Sequence, residues 1–266
     1  MSLSVTSRAA SPVALRRTFT WISVLLLMVV VCWLDSRALA EHFAYGQWAA
    51  NALMIAAFVP VYRSAPPRLR ALMKYGVFIA TAGEVLFSLA FGMYEYRLAN
   101  VPVYVPPGHS LLYAGVYYFV REPLVLRHKK PLMALMLAVS VGYAAYWLYA
   151  HDDVYGAACT ALFVLLIARD AESRLFFLAM FLFVGFLEQV GTRFACWYWF
   201  EHAFDTLSFL PSGNPPSGIS VFYFAFDVLC LMAYLRRRRD LKARYLRLKE
   251  RREASEQSES GALAAA

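Results

Sequence analysis

The chain has 266 residues, 61% hydrophobic and 17% charged, with a formal net charge of +8. Soluble domains carry about 25% charged residues and fewer than half apolar ones, so a soluble core is excluded and the bilayer is the expected solvent. The basic residues lie between alternate apolar runs and in the C-terminal tail, the pattern of an orientation rule, which argues against nucleic acid as a partner.

Apolar runs predict helices at 19–35, 46–62, 74–93, 107–120, 131–150, 153–168, 175–193 and 218–235, set against the roughly 20 residues that a spanning helix needs. The second, fourth and sixth are short and lean on interfacial Tyr and Trp. The expected fold class is all-α: a polytopic transmembrane helical bundle of about eight helices. Residues 1–18 form a cytoplasmic segment, 19–235 the membrane domain, and 236–266 a basic cytoplasmic tail ending in disorder. With the N-terminus inside, all of the 26 Lys and Arg except Arg37, Arg97 and Arg193 fall on the inner side. That asymmetry predicts both termini in the cytoplasm and a multi-pass protein of the plasma (inner) membrane. A competing reading is a signal peptide, Arg16-Arg17 with an apolar run and Ala38-Leu39-Ala40, whose cleavage leaves seven helices. In the tail, Leu241, Tyr245 and Leu248 recur at helical spacing among basic residues, which suits anionic headgroups.

The helices read as two copies of four, 19–120 and 131–235. Glu84 precedes Tyr94 and Tyr96 by ten and twelve residues, as Glu188 precedes Tyr198 and Phe200. Pro106-Pro107 matches Pro215-Pro216, and Ser110, Tyr113 and Tyr117 match Ser220, Tyr223 and Asp227. An even number of helices per copy points both copies the same way, related by an axis along the membrane normal. The first helix therefore has a counterpart, which favours its retention over cleavage.

Glu84, Glu188 and Asp227 lie inside predicted spans, where an ionised carboxylate costs several kcal/mol. Thr81, Glu84 and Ser88 share one helix face, as do Ser220, Tyr223 and Asp227, and Glu188 has Thr192 at i+4. Buried acids either hydrogen-bond neighbouring helices to hold the bundle or carry chemistry. Three acids on polar stripes, two of them repeat-related, favour chemistry, with Glu84, Glu188, Asp227 and Tyr223 as the expected catalytic set. Tyr94, Tyr96, His109, Tyr113, Tyr117, Arg193, Trp197, Trp199 and Asn214 are the expected substrate-binding residues, although most outer aromatics fit an interfacial belt. Cys32, Cys159, Cys196 and Cys230 make no zinc pattern and are expected as buried thiols, with a Cys32–Cys196 disulfide as the alternative. His42, His109, His151 and His202 lack metal-ligand spacing, so no metal and no cofactor is expected.

The expected function is a membrane enzyme performing carboxylate acid–base chemistry on a lipid or isoprenoid. A proton-coupled transporter or lipid-handling protein is the first alternative, and a non-catalytic membrane partner subunit the second. The expected partners are membrane lipids and a hydrophobic small-molecule substrate. The arrangement of Glu84, Tyr94, Tyr96, Val101 and Pro102 resembles the multi-pass carotenoid hydratases of bacteria and archaea. That resemblance implies addition of water across a terminal polyene double bond; the continuation Pro106-Pro107-Gly108-His109 departs from it.

Overall fold

A computed structural model describes residues 12–169 and 172–237, with residues 243 and 247. The chain is mostly helical, at 73%. The helices are α1 (Pro12–Leu34), α2 (Arg37–Ala40), α3 (Gly46–Ser64), α4 (Pro67–Glu84), α5 (Val105–Phe119), α6 (Pro123–Arg127), α7 (Lys129–His151), α8 (Val154–Arg169), α9 (Arg174–Arg193) and α10 (Val221–Arg237). A π-helical turn, Val85–Ala90, extends α4. Each of the eight expected spans corresponds to one long helix. Pro67–Ala90, Lys129–His151 and Arg174–Arg193 are long and apolar enough to cross a membrane, and Thr20–Leu34 and Val154–Arg169 are shorter apolar helices. Leu26, Trp48, Phe78, Leu135, Tyr149 and Leu165 are all exposed on the outside, a surface suited to lipid and costly in water. Residues 1–11, the tail positions Leu241, Tyr245 and Leu248, and residues 255–266 lie outside the described residues.

Local chemistry explains where the helices start. Pro67 opens α4, and Pro106 and Pro107 sit in the first turn of α5, where a missing N–H leaves no helical bond unmade. The central helix is α9, with buried residues along its length from Leu175 to Gly191, whereas α7 buries only Met136, Ser140 and Ala144. Helix α9 packs on α1, α5, α7 and α10, while α4 packs on α5 and α10.

The expectation of an all-helical chain needs correction at two connecting segments. Strand β1 (Tyr94–Tyr96) pairs antiparallel with β2 (Trp197–Trp199), in the register Tyr94↔Trp199, Glu95↔Tyr198 and Tyr96↔Trp197. A second ribbon joins β3 (His202–Ala203) to β4 (Leu207–Pro211). Tyr-x-Tyr and Trp-x-Trp present aromatic rings on one face of a strand, a period-2 pattern that ribbons favour.

The register pairs the strand that follows Glu84 with the strand that follows Glu188. Tyr94 and Tyr96 face inward with Trp197 and Trp199, whereas Tyr198 points outward and is 44% exposed. The stretch from the buried acid to the first inward ring is one residue longer after Glu84 than after Glu188, and the π-helical turn after Glu84 accounts for it. A π turn accommodates one extra residue in a helix. Gly92 (φ +56°) and Ala195 (φ +52°) then occupy the same place, each turning the chain through the left-handed region two residues before the first inward ring.

Candidate functional site

The β1–β2 ribbon closes one end of a cleft between α1, α3, α4, α5, α9 and α10, and its inward rings reach the two buried glutamates. Glu84, on α4, accepts hydrogen bonds from the Tyr94 hydroxyl at 2.5 Å and the Tyr96 hydroxyl at 2.7 Å, both on Oε2. Its other oxygen, Oε1, lies 3.1 Å from His109 Nε2, on α5. Glu188, on α9, accepts on Oε2 from the indole N–H groups of Trp197 (2.9 Å) and Trp199 (3.1 Å). Its Oε1 makes no hydrogen bond among the described residues. Both glutamates are nearly inaccessible, at 4% and 6% exposed. Each acid is thus held by two donors from the strand that follows its own helix.

Across the ribbon the rings pack against one another. The centroids of Tyr94 and Trp199 are 4.5 Å apart, and those of Tyr96 and Trp197 are 6.0 Å apart. The expected aromatic belt is therefore corrected for these four, which are buried donors. Gly191 makes this possible: a Cβ there would run into the Trp197 ring. Tyr198 and Glu95, on the outer face, hydrogen-bond each other.

Phe87, Phe222, Phe226, Met28, Met54 and Ile219 complete the walls of a narrow cavity of about 60 Å³. Sequence reasoning passed over these residues; the signal that could have found Phe87 and Phe226 is a ring one helical turn from each of Glu84 and Phe222. Tyr223 stacks on His109 with centroids 4.6 Å apart and planes 4° apart, its hydroxyl 3.3 Å from His109 Nε2.

Of the expected site residues, Glu84, Glu188, Tyr94, Tyr96, His109, Trp197, Trp199 and Tyr223 line this cleft. Asp227 and Tyr113 line a smaller adjoining cavity instead, which His109 and Tyr223 also border. Tyr117, Arg193 and Asn214 line neither. Tyr117 carries the Arg121 guanidinium 3.4 Å over its ring, Arg193 is exposed at the end of α9, and Asn214 Oδ1 accepts from the Trp199 backbone N–H at 3.0 Å. The polar stripes also dissolve in part: Thr81, Thr192 and Ser220 donate to the backbone carbonyls of Val77, Glu188 and Phe181. These hydroxyls serve helix backbones and leave the cleft to the larger side chains.

Two further buried acids fix the end of the site. Asp35 accepts from Arg97 Nη2 at 2.6 Å and from the Tyr104 hydroxyl at 2.8 Å, while Arg97 Nε donates to the Asp35 carbonyl at 2.9 Å. Asp153 accepts from three backbone N–H groups, Gly156 at 3.0 Å, Gly213 at 2.8 Å and Ser217 at 2.7 Å. The first ties the chain after β1 to the end of α1. The second ties the segment before α10 to the start of α8. All four cysteines are free and buried, and the Cys196 thiol donates to the Cys32 carbonyl. Among the described residues no cluster of three or more His, Cys, Asp or Glu is placed to hold a metal.

Compared with known protein families, curated proteins and solved structures, the chain matches none.

Proposed function

We propose that the chain is a multi-pass enzyme of the plasma (inner) membrane that performs proton-transfer chemistry on a hydrocarbon lipid or isoprenoid. In this reading all eight long helices span the bilayer, with both termini cytoplasmic, as two parallel copies of four. Paired features support the duplication. Ser110 and Ser220 donate to the Met73 and Phe181 carbonyls, each at 2.9 Å. The two ribbon strands pair antiparallel about Glu95 and Tyr198, as a twofold axis requires.

One observation carries the chemistry: Glu188 has one oxygen held by two indoles and the other unpaired, in an aromatic-lined cleft that also holds Glu84. A protonated Glu188 places its O–H on Oε1 and delivers that proton to a substrate double bond, leaving a carboxylate and a carbocation. The surrounding rings stabilise the cation. Glu84, fixed as an acceptor by Tyr94 and Tyr96, takes a proton from the attacking water or from the neighbouring carbon. The narrow, largely apolar cleft suits a linear hydrocarbon better than a polar solute.

The test is comparative lipid profiling of an expressing strain against an empty-vector control. A lipid altered by the chain and restored to control by Glu188→Gln or Glu84→Gln supports the proposal. A second reading, a proton-coupled carrier, is favoured by paired repeats around buried carboxylates. Loss of proton-driven uptake in the same variants, with lipids unchanged throughout, decides for it. No change in either assay points to a non-catalytic partner subunit.

A further inference from the structure

Beside the cleft lies a second cavity of about 20 Å³, bordered by His109, Ser110, Tyr113, Tyr223 and Asp227. Two buried polar atoms belonging to its walls have no hydrogen-bond partner among the described residues: His109 Nδ1 and Asp227 Oδ2. Unpaired buried polar atoms are rare because each costs the desolvation of a group that water had satisfied. A cavity holds a water when it offers at least about 10–15 Å³ and two or more polar partners. This one meets the first, and two residues of its lining carry those unpaired atoms.

We infer that a resident water bridges Asp227 Oδ2 to His109 Nδ1, making Asp227, the water and His109 a proton relay that ends on Glu84. The last link is the 3.1 Å contact from His109 Nε2 to Glu84 Oε1. The transfer balances. Asp227 gives its proton to the water, the water gives one to Nδ1, and Nε2 gives its own to Glu84. The imidazole and the water end neutral, Asp227 ends ionised and Glu84 ends protonated; the reverse sequence resets it. Tyr223, parallel to the imidazole, holds the plane of a ring that borders both cavities. Asp227 touches no substrate in this scheme and acts through His109. The bridge rests on the cavity and the two unpaired atoms, whereas the relay's purpose rests on the acid–base reading of the cleft.

The experiment uses the full chain in lipid nanodiscs with its five histidines labelled with ¹⁵N, His109 being assigned by the signal lost in His109→Gln. The His109 Nδ1 resonance is expected at a hydrogen-bonded position. Asp227→Leu, which removes the acceptor and fills the space, moves it to an unbonded position. Asp227→Asn, nearly isosteric, keeps the water and the bonded position. An Nδ1 signal unmoved by Asp227→Leu overturns the bridge, and so does a high-resolution structure with the cavity dry. Lipid conversion by the same samples separates the two readings. Conversion reduced about 100-fold by Asp227→Asn supports the relay, and conversion unchanged by it overturns the relay. If Glu188→Gln alters no lipid while Asp227→Leu still moves Nδ1, the enzyme reading fails and the bridge stands.

Discussion

Arg97→Met is the substitution whose cost the structure bounds most tightly. Asp35 is fully buried and Arg97 is 13% exposed, with Nη2 2.6 Å from Asp35 Oδ1. Removing one partner of a buried pair strands the other charge, at about 3–5 kcal/mol, whereas an exposed pair is worth about 0–1. Tyr104 and Gln47 remain on Asp35 Oδ2, at 2.8 and 3.4 Å, so the lower end of that range, about 3 kcal/mol, is expected. For a chain of this size each kcal/mol moves the midpoint by about 2–4 °C, giving a fall of about 6–12 °C. The assay is thermal unfolding in detergent followed by tryptophan fluorescence, since Trp197 and Trp199 are buried and the Arg97 backbone N–H donates to the carbonyl of Cys196, next to Trp197. In an Asp35→Asn background the stranded charge is absent, and Arg97→Met costs at least about 2 kcal/mol less. A cost below about 1 kcal/mol, or one identical in both backgrounds, refutes the reading of Asp35 as a buried, paired carboxylate.

Three more substitutions test particular contacts. Ala195→Gly relieves a left-handed residue at the end of α9 and raises stability by about 1 kcal/mol in the same melt, because an L side chain there costs about 1–2. Gly218→Ala drives a Cβ into the Gly156 carbonyl and the Thr160 backbone nitrogen, which cannot swing aside as a side-chain tip can; the loss is about 1–3 kcal/mol or more. Trp199→Phe removes one of two donors to Glu188 Oε2 while keeping an aromatic ring, so that the melt falls by about 1.5–3 kcal/mol if the carboxylate is ionised and by less if it is protonated.

The helices were legible because length and apolarity report directly on bilayer thickness, and the buried acids because hydrocarbon makes any ionisable group conspicuous. The ribbon was not. Nothing in the apolar pattern marks the π-helical turn at Val85–Ala90, and that one extra residue shifts every position after Glu84 against its counterpart after Glu188. A one-residue slip in a strand exchanges its faces, which is how Tyr198 was aligned with Tyr94 although it faces outward. Tyr117 was lost for a different reason: eight residues beyond His109 on a helix is about 12 Å along its axis, out of reach of the cleft. Asp35 was available in principle. Arg97 stood on the side that the positive-inside rule leaves poor in cations, and a cation misplaced in that way needs a partner, here the acid directly after the first apolar run.

Glu84 and Glu188 are each held by two donors from the strand that follows, and they differ in what meets their other oxygen. The residue 110 places after His109 is Ile219, which lines the same cleft. Glu84 has an imidazole partner at its Oε1, and Ile219 has no polar atom to offer Glu188 in return. Under the proposed role of Glu188 as proton donor, an Ile219→His imidazole that pairs with Glu188 occupies the oxygen on which that role depends. Lipid conversion is expected to fall about 100-fold, comparable to loss of a positioned acid, with the melt within about 1 kcal/mol of the parent. His109→Ile should fall as far by removing the other arm. If Ile219→His converts lipid at the parent rate while folding normally, the asymmetry between the two acids is not what runs the reaction, and the division of roles between Glu84 and Glu188 fails with it.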